Sequence, residues 1–324
     1  MINLPRVALY EFHPYTISSA PEEGDYISVH IQAVGNWTKR VYQYFKQISE
    51  RNNDDTHIKV FRADISPIAS TCQEIIRRNT IHETEDGRDQ VAENHVSSAS
   101  LPTSEPVRKQ KEIVIIKGPY SSCARYIFDS KHVVLICSGI GITPYASILS
   151  SLMAQFRASR RICRYCHRFN YNDDGLWANY RLKKVDFIWT NRDTKSFEWF
   201  LSLLREFEKE QEEYLASNQG EHRFLNIQLY STAINSGNSI DNCFLDHLTN
   251  MWSEETGVDV FTGLRSLTRF GRPVWEDLFQ NLIADNGGST TGEMKVFFCG
   301  LKTMGEIIQQ HCANLGIRYY EEKF

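Results

Sequence analysis

A chain of 324 residues, 41% hydrophobic and 23% charged, has room for two domains with separate cores. Its formal charge of −4 offers no basic face for a nucleic acid, which is therefore excluded as an expected partner. Eight scattered cysteines lack the density of a secreted disulfide scaffold and favour a reducing setting. No apolar run approaches the about 20 residues of a spanning helix, and no apolar stretch after Met1 reads as a signal peptide. As written, the chain reads as soluble.

In chain order, the first singular feature is His13-Pro14-Tyr15-Thr16, an aromatic ring and a hydroxyl side by side after a proline. Adjacent side chains on an extended segment point to opposite faces, so one packs on a flat ring while the other reaches its edge only if the strand bends. Residues 27–31 alternate and carry β-branched side chains, predicting a strand, and 41–48 predict a helix. Gly35-Asn36-Trp37-Thr38 lies just before that helix, offering backbone N–H groups and a hydroxyl to a phosphate. The same residues spell an N-x-T glycosylation sequon, a chance match in a cytosolic domain. From 72 to 112 the composition turns to Ser, Thr, Glu, Asp, Arg and Gln, which predicts a disordered insertion because little apolar surface offsets chain entropy. Order returns with a strand at 112–118.

Residues 133–137 form a short, continuously apolar run, as in a parallel strand covered on both faces. Ser138-Gly139-Ile140-Gly141-Ile142-Thr143-Pro144 follows it, and apolar residues at 145, 148, 149, 152, 153 and 156 predict a helix after that. A strand, a glycine turn and a helix make a phosphate cradle, since glycine lets the backbone approach and the helix dipole favours the anion. Pro144 stands where a third glycine would complete G-x-G-x-x-G. The basic run Arg157, Arg160, Arg161, Arg164 and Arg168 is either a solvated helix end or an attractor of calmodulin or anionic lipid. Cys163-Arg164-Tyr165-Cys166-His167 spells a haem-attachment pattern, but no second pair stands at zinc-finger spacing and no metal site is assigned. Further strands are expected at 185–190, 225–230 and 295–299, and 234–271 is expected as loops and short helices. This alternation predicts a doubly wound α/β sheet for the second domain. Arg192 follows one strand and Arg272 stands in a Gly-Arg-Pro turn; each is a bidentate phosphate contact or a solvated loop arginine.

Taken in order, the tetrapeptide at 13–16, the stretch 30–38, the turn at 139–144, the block 187–200, Phe297-Phe298-Cys299-Gly300 and terminal Phe324 resemble the ferredoxin–NADP reductase superfamily. Within it they are similar to the cytosolic dehydrogenase region of NADPH oxidases of the calcium-regulated type. The resemblance implies a partial antiparallel β-barrel that binds FAD, N-terminally truncated over 1–71 and closed by 113–130. An α/β doubly wound parallel-sheet NADPH-binding domain follows at 131–324. It implies hydride transfer from NADPH to FAD and passage of electrons to haem and oxygen, generating superoxide at a membrane. The haem would lie in a membrane domain absent from this chain, which reads as a fragment on the cytosolic face.

The resemblance also assigns roles. Tyr15 stacks on the flavin, Thr16 reaches its N5, and His13 and Pro14 lie near the FAD phosphates with Ile31, Gly35 and Thr38. Gly118 and Tyr120 belong to the element closing the flavin domain, where Ser121 replaces a glycine. Gly139, Gly141, Ile142, Thr143 and Pro144 hold the NADPH pyrophosphate, with Arg192 and Arg272 on the 2′-phosphate. Cys299 and Gly300 stand beside the nicotinamide, and Leu301 replaces a frequent proline, predicting a looser loop. Glu322 lies near the flavin and Phe324 caps its ring. Two other readings remain: a soluble or ferric-chelate-type NADPH flavin reductase, and a non-catalytic regulatory fragment.

Overall fold

The computed structural model describes residues 1–23, 27–52, 114–158, 160–162, 165, 169–171, 181–217, 222–232, 239–285 and 291–322. The expected insertion at 72–112, Cys163, Cys166, His167 and Phe324 lie outside them. The chain forms two compact units, Met1–Pro14 with Ala33–Tyr120, and Tyr15–Gln32 with Ser121–Phe324.

In the smaller unit, strand β1 (Ile2–Asn3) pairs antiparallel with β2 (Ile115–Ile116), and Ile2 also bridges His13. This is what the described residues show of the barrel. The Asn3 side-chain amide donates to the Ala8 carbonyl at 3.0 Å and the Glu11 carbonyl at 2.7 Å, folding the intervening loop. Helix α1 (Asn36–Asn52) extends the expected 41–48 in both directions. Trp37 and Val41, one turn apart, are its buried residues. At its start the Thr38 hydroxyl accepts from the Gly35 N–H at 2.9 Å, the reach-back of a third helical residue to its cap.

The larger unit is built on a six-stranded parallel sheet. Its strands are β3 (His132–Ser138), β6 (Lys184–Asn191), β7 (Leu225–Ser231), β8 (Thr268–Phe270), β9 (Met294–Cys299) and β10 (Arg318–Glu322). A small antiparallel hairpin, β4 (Arg160–Ile162) and β5 (Phe169–Tyr171), stands apart. The order across the sheet is β10-β9-β3-β6-β7-β8. The chain begins at β3, moves outward through β6, β7 and β8, then returns to the other side of β3 as β9. That reversal makes the β3/β9 boundary a topological switch point, where loops leaving both strands part and leave a crevice.

The apolar runs noted in the sequence explain why these strands are central. Val133, Leu135 and Cys137 face one core with helices α2 (Thr143–Ala158) and α3 (Glu198–Ser217), whereas Val134 and Ile136 face a second with α5 (Trp275–Ala284) and α6 (Lys302–Leu315). A strand buried on both faces needs apolar residues at every position, which is what 133–137 supply. The amino end of the sheet is closed by polar bonds instead. Buried His132 Nε2 lies 2.6 Å from Asp186 Oδ2, and Asn226 donates to Asp186 Oδ1 at 2.8 Å.

One expectation is corrected. Residues 234–271 were expected as loops and short helices, but Ser239–Thr256 form helix α4 and Thr268–Phe270 add β8 at the sheet edge. Among its described side chains Leu248, Met251 and Trp252 are exposed and Thr249 is buried, so an apolar stripe does not mark the buried face. The 257–268 loop is held by buried Asp259, whose carboxylate accepts from the Thr262 hydroxyl at 2.6 Å and the Thr268 hydroxyl at 2.9 Å.

Helix α6 lies close on the sheet because of Gly305. A Cβ there would stand 2.8 Å from the Phe298 ring and 3.0 Å from the Tyr319 hydroxyl. Gly305→Ala is expected to lower unfolding stability by about 1–3 kcal/mol through overpacking, read from denaturant melts.

Candidate functional site

At the switch point, β3 ends at Ser138 and a single helical turn, Gly139–Ile142, leads into α2. Pro144 lies in the first turn of α2, where a missing N–H breaks no helical bond. The two glycines of this turn do different work. Gly139 has φ +55°, and a Cβ on it would meet only Asn191 Oδ1 at 4.0 Å, so its backbone is open to a ligand. Gly141 is buried, and a Cβ on it would collide with the carbonyl oxygen of Cys299. Gly300 is equally constrained, because a Cβ there would run into the Ser138 hydroxyl.

At Leu301, where proline's absence predicts a looser loop, the structure gives the backbone N–H a partner. The Leu301 N–H donates to Ser138 Oγ at 3.0 Å, a bond that proline could not make. Ser138 thus staples the end of β9 to the end of β3. From β6, the Trp189 indole N–H donates to the Gly139 carbonyl at 3.0 Å and the Thr190 hydroxyl to that of Cys137 at 3.2 Å. Ser138 and Trp189 lie in the blocks 138–144 and 187–200 singled out in the sequence, but their bonds between strand ends were not read from it.

Cys299 ends β9 in register with Cys137 on one side and Glu322 on the other. Its thiol is fully buried, and burial, followed by the charge of Glu322, pushes its pKa well up, which excludes a thiolate nucleophile. Glu322 Oε2 accepts from the Ser122 hydroxyl at 2.6 Å and the Cys123 thiol at 3.2 Å. Burial and that hydrogen bond push Cys123 up to about 12. Tyr126, Tyr320 and Phe297 stack in succession beneath this clamp, with centroids 5.6 and 4.9 Å apart. The Tyr145 hydroxyl is buried and has no hydrogen-bond partner among the described residues.

Arg192 follows β6 and Arg272 follows β8, so both stand at the carboxyl edge of the sheet, exposed and in no ion pair among the described residues. Asp193, the acid beside Arg192, is turned away. Its carboxylate accepts from the Ser196 N–H and hydroxyl, each at 3.0 Å, as a helix cap. Gly271, before Arg272, has φ +101° and donates to the Ser231 carbonyl at 2.9 Å.

Of the residues assigned to the flavin, His13 and Pro14 belong to the smaller unit and Tyr15, Thr16 and Ile31 to the larger. The His13 ring lies over Trp37 with centroids 4.1 Å apart, which puts an imidazole at the start of α1 beside Gly35. A helix start flanked by an imidazole fits an anion such as a pyrophosphate. The Thr38 hydroxyl also donates to the Gly35 carbonyl at 3.0 Å, so its own helix end occupies it. Gly118 has φ +134°, with the ring of exposed Tyr120 3.4 Å from where a Cβ would be. The strand expected at 27–31 appears as the single bridge Ile17 to Val29. Arg157, first of the basic run, pairs with Glu210 at 2.7 Å and Glu206 at 2.8 Å; the side chains of Arg160, Arg161, Arg164 and Arg168 lie outside the described residues.

Comparison with known proteins identifies the family. Residues 130–313 match the family described as ferric reductase NAD binding domain, and 1–124 match that described as FAD-binding domain. NADPH oxidase 5 of Homo sapiens is 35% identical over the whole chain, which spans 38% of that relative's length. A superoxide-generating NADPH oxidase heavy chain of Dictyostelium discoideum is 30% identical over 94% of the chain and 43% of its own length. NADPH oxidase 1 of Mus musculus is 27% identical over 96% of the chain and 37% of its own length. The chain therefore spans less than half of the relatives it matches.

Gly141→Ala is expected to force the β3 and β9 loops apart and lose about 1–3 kcal/mol of stability by denaturant titration, more than Ser138→Ala at about 1 kcal/mol. The thiols give a second prediction. Cys123 and Cys312, both pushed up to about 12 and in each case first by burial, remain neutral in the fold while the unfolded chain ionises near 9.0. Their stabilisation is complete below pH 9 and declines as pH rises toward 12. Melting curves between pH 8 and 11 should show that decline, and iodoacetamide at pH 8 should leave both thiols unlabelled in the native protein.

Proposed function

Because this chain belongs to the ferric reductase NAD-binding-domain family, we propose that it is the dehydrogenase region of a superoxide-generating NADPH oxidase. The observation that carries the proposal is the switch-point crevice, where the open backbone of Gly139 faces outward and Gly141 seals against Cys299. The amides of the 139–142 turn and the start of α2 would hold the pyrophosphate of NADPH. Arg192 and Arg272, at the same sheet edge, would take its 2′-phosphate. Cys299, a neutral thiol in a buried wall, would bound the nicotinamide without forming a bond to it.

On the flavin side, His13, Pro14 and the helix start at Gly35 would receive the FAD phosphates, with Thr38 ordering that start through its bonds to Gly35, and Tyr15 and Thr16 would hold the ring, with Ile31, Gly118 and Tyr120 completing the site. Phe324 would cap the ring, with Glu322 nearby. Bound FAD accepts a hydride and releases electrons singly, which the protein's residues do not do. The protein's part is orientation and charge. Electrons would pass to haem in a membrane domain of the longer protein and then to oxygen, with this region on the cytosolic face. Ferric-chelate reduction is the second reading, favoured by the description of the family that matches 130–313.

Purified chain with FAD, NADPH and ferricyanide is the direct test. Arg192→Ala should raise KM for NADPH about 10- to 100-fold, the worth of a charge-assisted hydrogen bond, and leave KM for NADH unchanged. Equal NADPH kinetics in variant and wild type would remove the NADPH assignment. In the full-length protein, NADPH oxidation that reduces ferric chelates but forms no dismutase-sensitive product would select the second reading.

A further inference from the structure

Residues 18–19 are hydrogen-bonded to 28–30, and Ser19 and Glu22 are bonded to α2. The Ser18 hydroxyl donates to the Ser28 carbonyl at 3.0 Å and stands 2.8 Å from His30 Nδ1, while the Ser28 N–H donates to Ser19 Oγ at 3.0 Å. Ser18, Ser19 and Ala20 are buried by this contact. Helix α2 presents Ser147, Ser151 and Gln155 at four-residue spacing, a polar stripe of about 12 Å along one face of an otherwise apolar helix. The Ser147 hydroxyl donates to the Ser19 carbonyl at 2.7 Å. The Ser151 hydroxyl, itself buried, donates to Glu22 Oε1 at 2.7 Å, and the Gln155 amide donates to the same oxygen at 2.9 Å.

We infer that Ser147, Ser151 and Glu22 are positioning residues that latch the strap at 17–23 to α2 and thereby fix Tyr15 and Thr16 relative to the Gly139 turn. The strap begins one residue after Thr16, and α2 begins one residue after the glycine turn, so little free chain lies between the latch and either motif. The latch oxygen of Glu22 binds two donors from successive turns, which sets the strap's place along the helix as well as its distance. A one-turn slip would move the strap about 5.4 Å. Hydride transfer is sensitive to errors of this kind, since reacting atoms must meet at roughly 3–3.5 Å. The inference rests on the function proposed above, because it gives the latch a catalytic purpose.

The test uses the full chain and two readouts. Glu22→Ala and Ser151→Ala, each of which removes one side of the latch, should lower kcat for ferricyanide reduction with FAD and NADPH about tenfold, with KM for NADPH and the dissociation constant of FAD within twofold of wild type. Ser151→Thr, which keeps the hydroxyl, should restore at least half of kcat. In the apo-protein, amide hydrogen exchange of residues 17–23 should quicken in both variants while β3 and β9 keep wild-type protection. An active wild type with unchanged kcat in the variants overturns the inference, as does a matching loss of FAD or NADPH binding. Should the wild type fail to reduce the dye, the proposed function falls, and exchange alone decides the latch: unaltered exchange overturns it and faster exchange sustains it.

Discussion

The near-contact of two loops at the carboxyl ends of β3 and β9 is the constraint on which the larger unit's site depends. Neither loop has space for a side chain where they cross, so glycine is required at 141 and again at 300. One hydrogen bond, from the Leu301 N–H to the Ser138 hydroxyl, fixes the crossing. The glycines of such turns are commonly attributed to cofactor approach. Here the two part company. Gly139 keeps an open face and a positive φ, whereas Gly141 serves the packing of one loop on another within the fold.

Burial around that crossing determines which chemistry the cysteines support. Cys299 lies beside Cys137 and Glu322 in register, and its burial together with the nearby carboxylate favours the protonated thiol. The same carboxylate accepts a hydrogen bond from Cys123 and raises that thiol too. A cluster of neutral thiols makes a compact, weakly polar wall, with no nucleophile at ordinary pH. Such a wall suits a reaction in which a hydride moves between two flat rings and the protein forms no covalent bond. On the proposed function, the electrostatic work would fall instead to the helix start after Gly139 and to the exposed arginines after β6 and β8.

Much of this was legible in the sequence. The run 133–137, buried on both faces, the helix after Thr143 and the strands at 185–190, 225–230 and 295–299 all formed, because their apolar periodicity reports burial directly. Helix α4 was not legible in this way: Leu248, Met251 and Trp252 are exposed while Thr249 is buried, so its apolar residues do not report the buried face. The Ser138 staple and the Ser122–Cys123 clamp on Glu322 were not legible at all. Each joins residues more than 160 positions apart, and local periodicity carries no information about such pairs. The departure at Leu301 shows the same limit. Compared with a familiar pattern it reads as a loss of rigidity, but the structure gives its N–H a partner.

The tetrapeptide at 13–16 carries the last step. It is one motif in sequence, yet His13 and Pro14 are held by contacts of the smaller unit and Tyr15 and Thr16 by those of the larger. His13 takes its place from Trp37 and from its bridge to Ile2. Two residues past Thr16, Ser18 is buried in a strap that rests on α2. A side chain's position is set by the core that surrounds it and not by its neighbour in sequence. The two halves of the motif therefore lie in different units, and the segment bonded to α2 follows directly on Tyr15 and Thr16. On the proposed function, α2 would bear on the placement of Tyr15 and Thr16 through the strap and on the glycine turn through its own first residue.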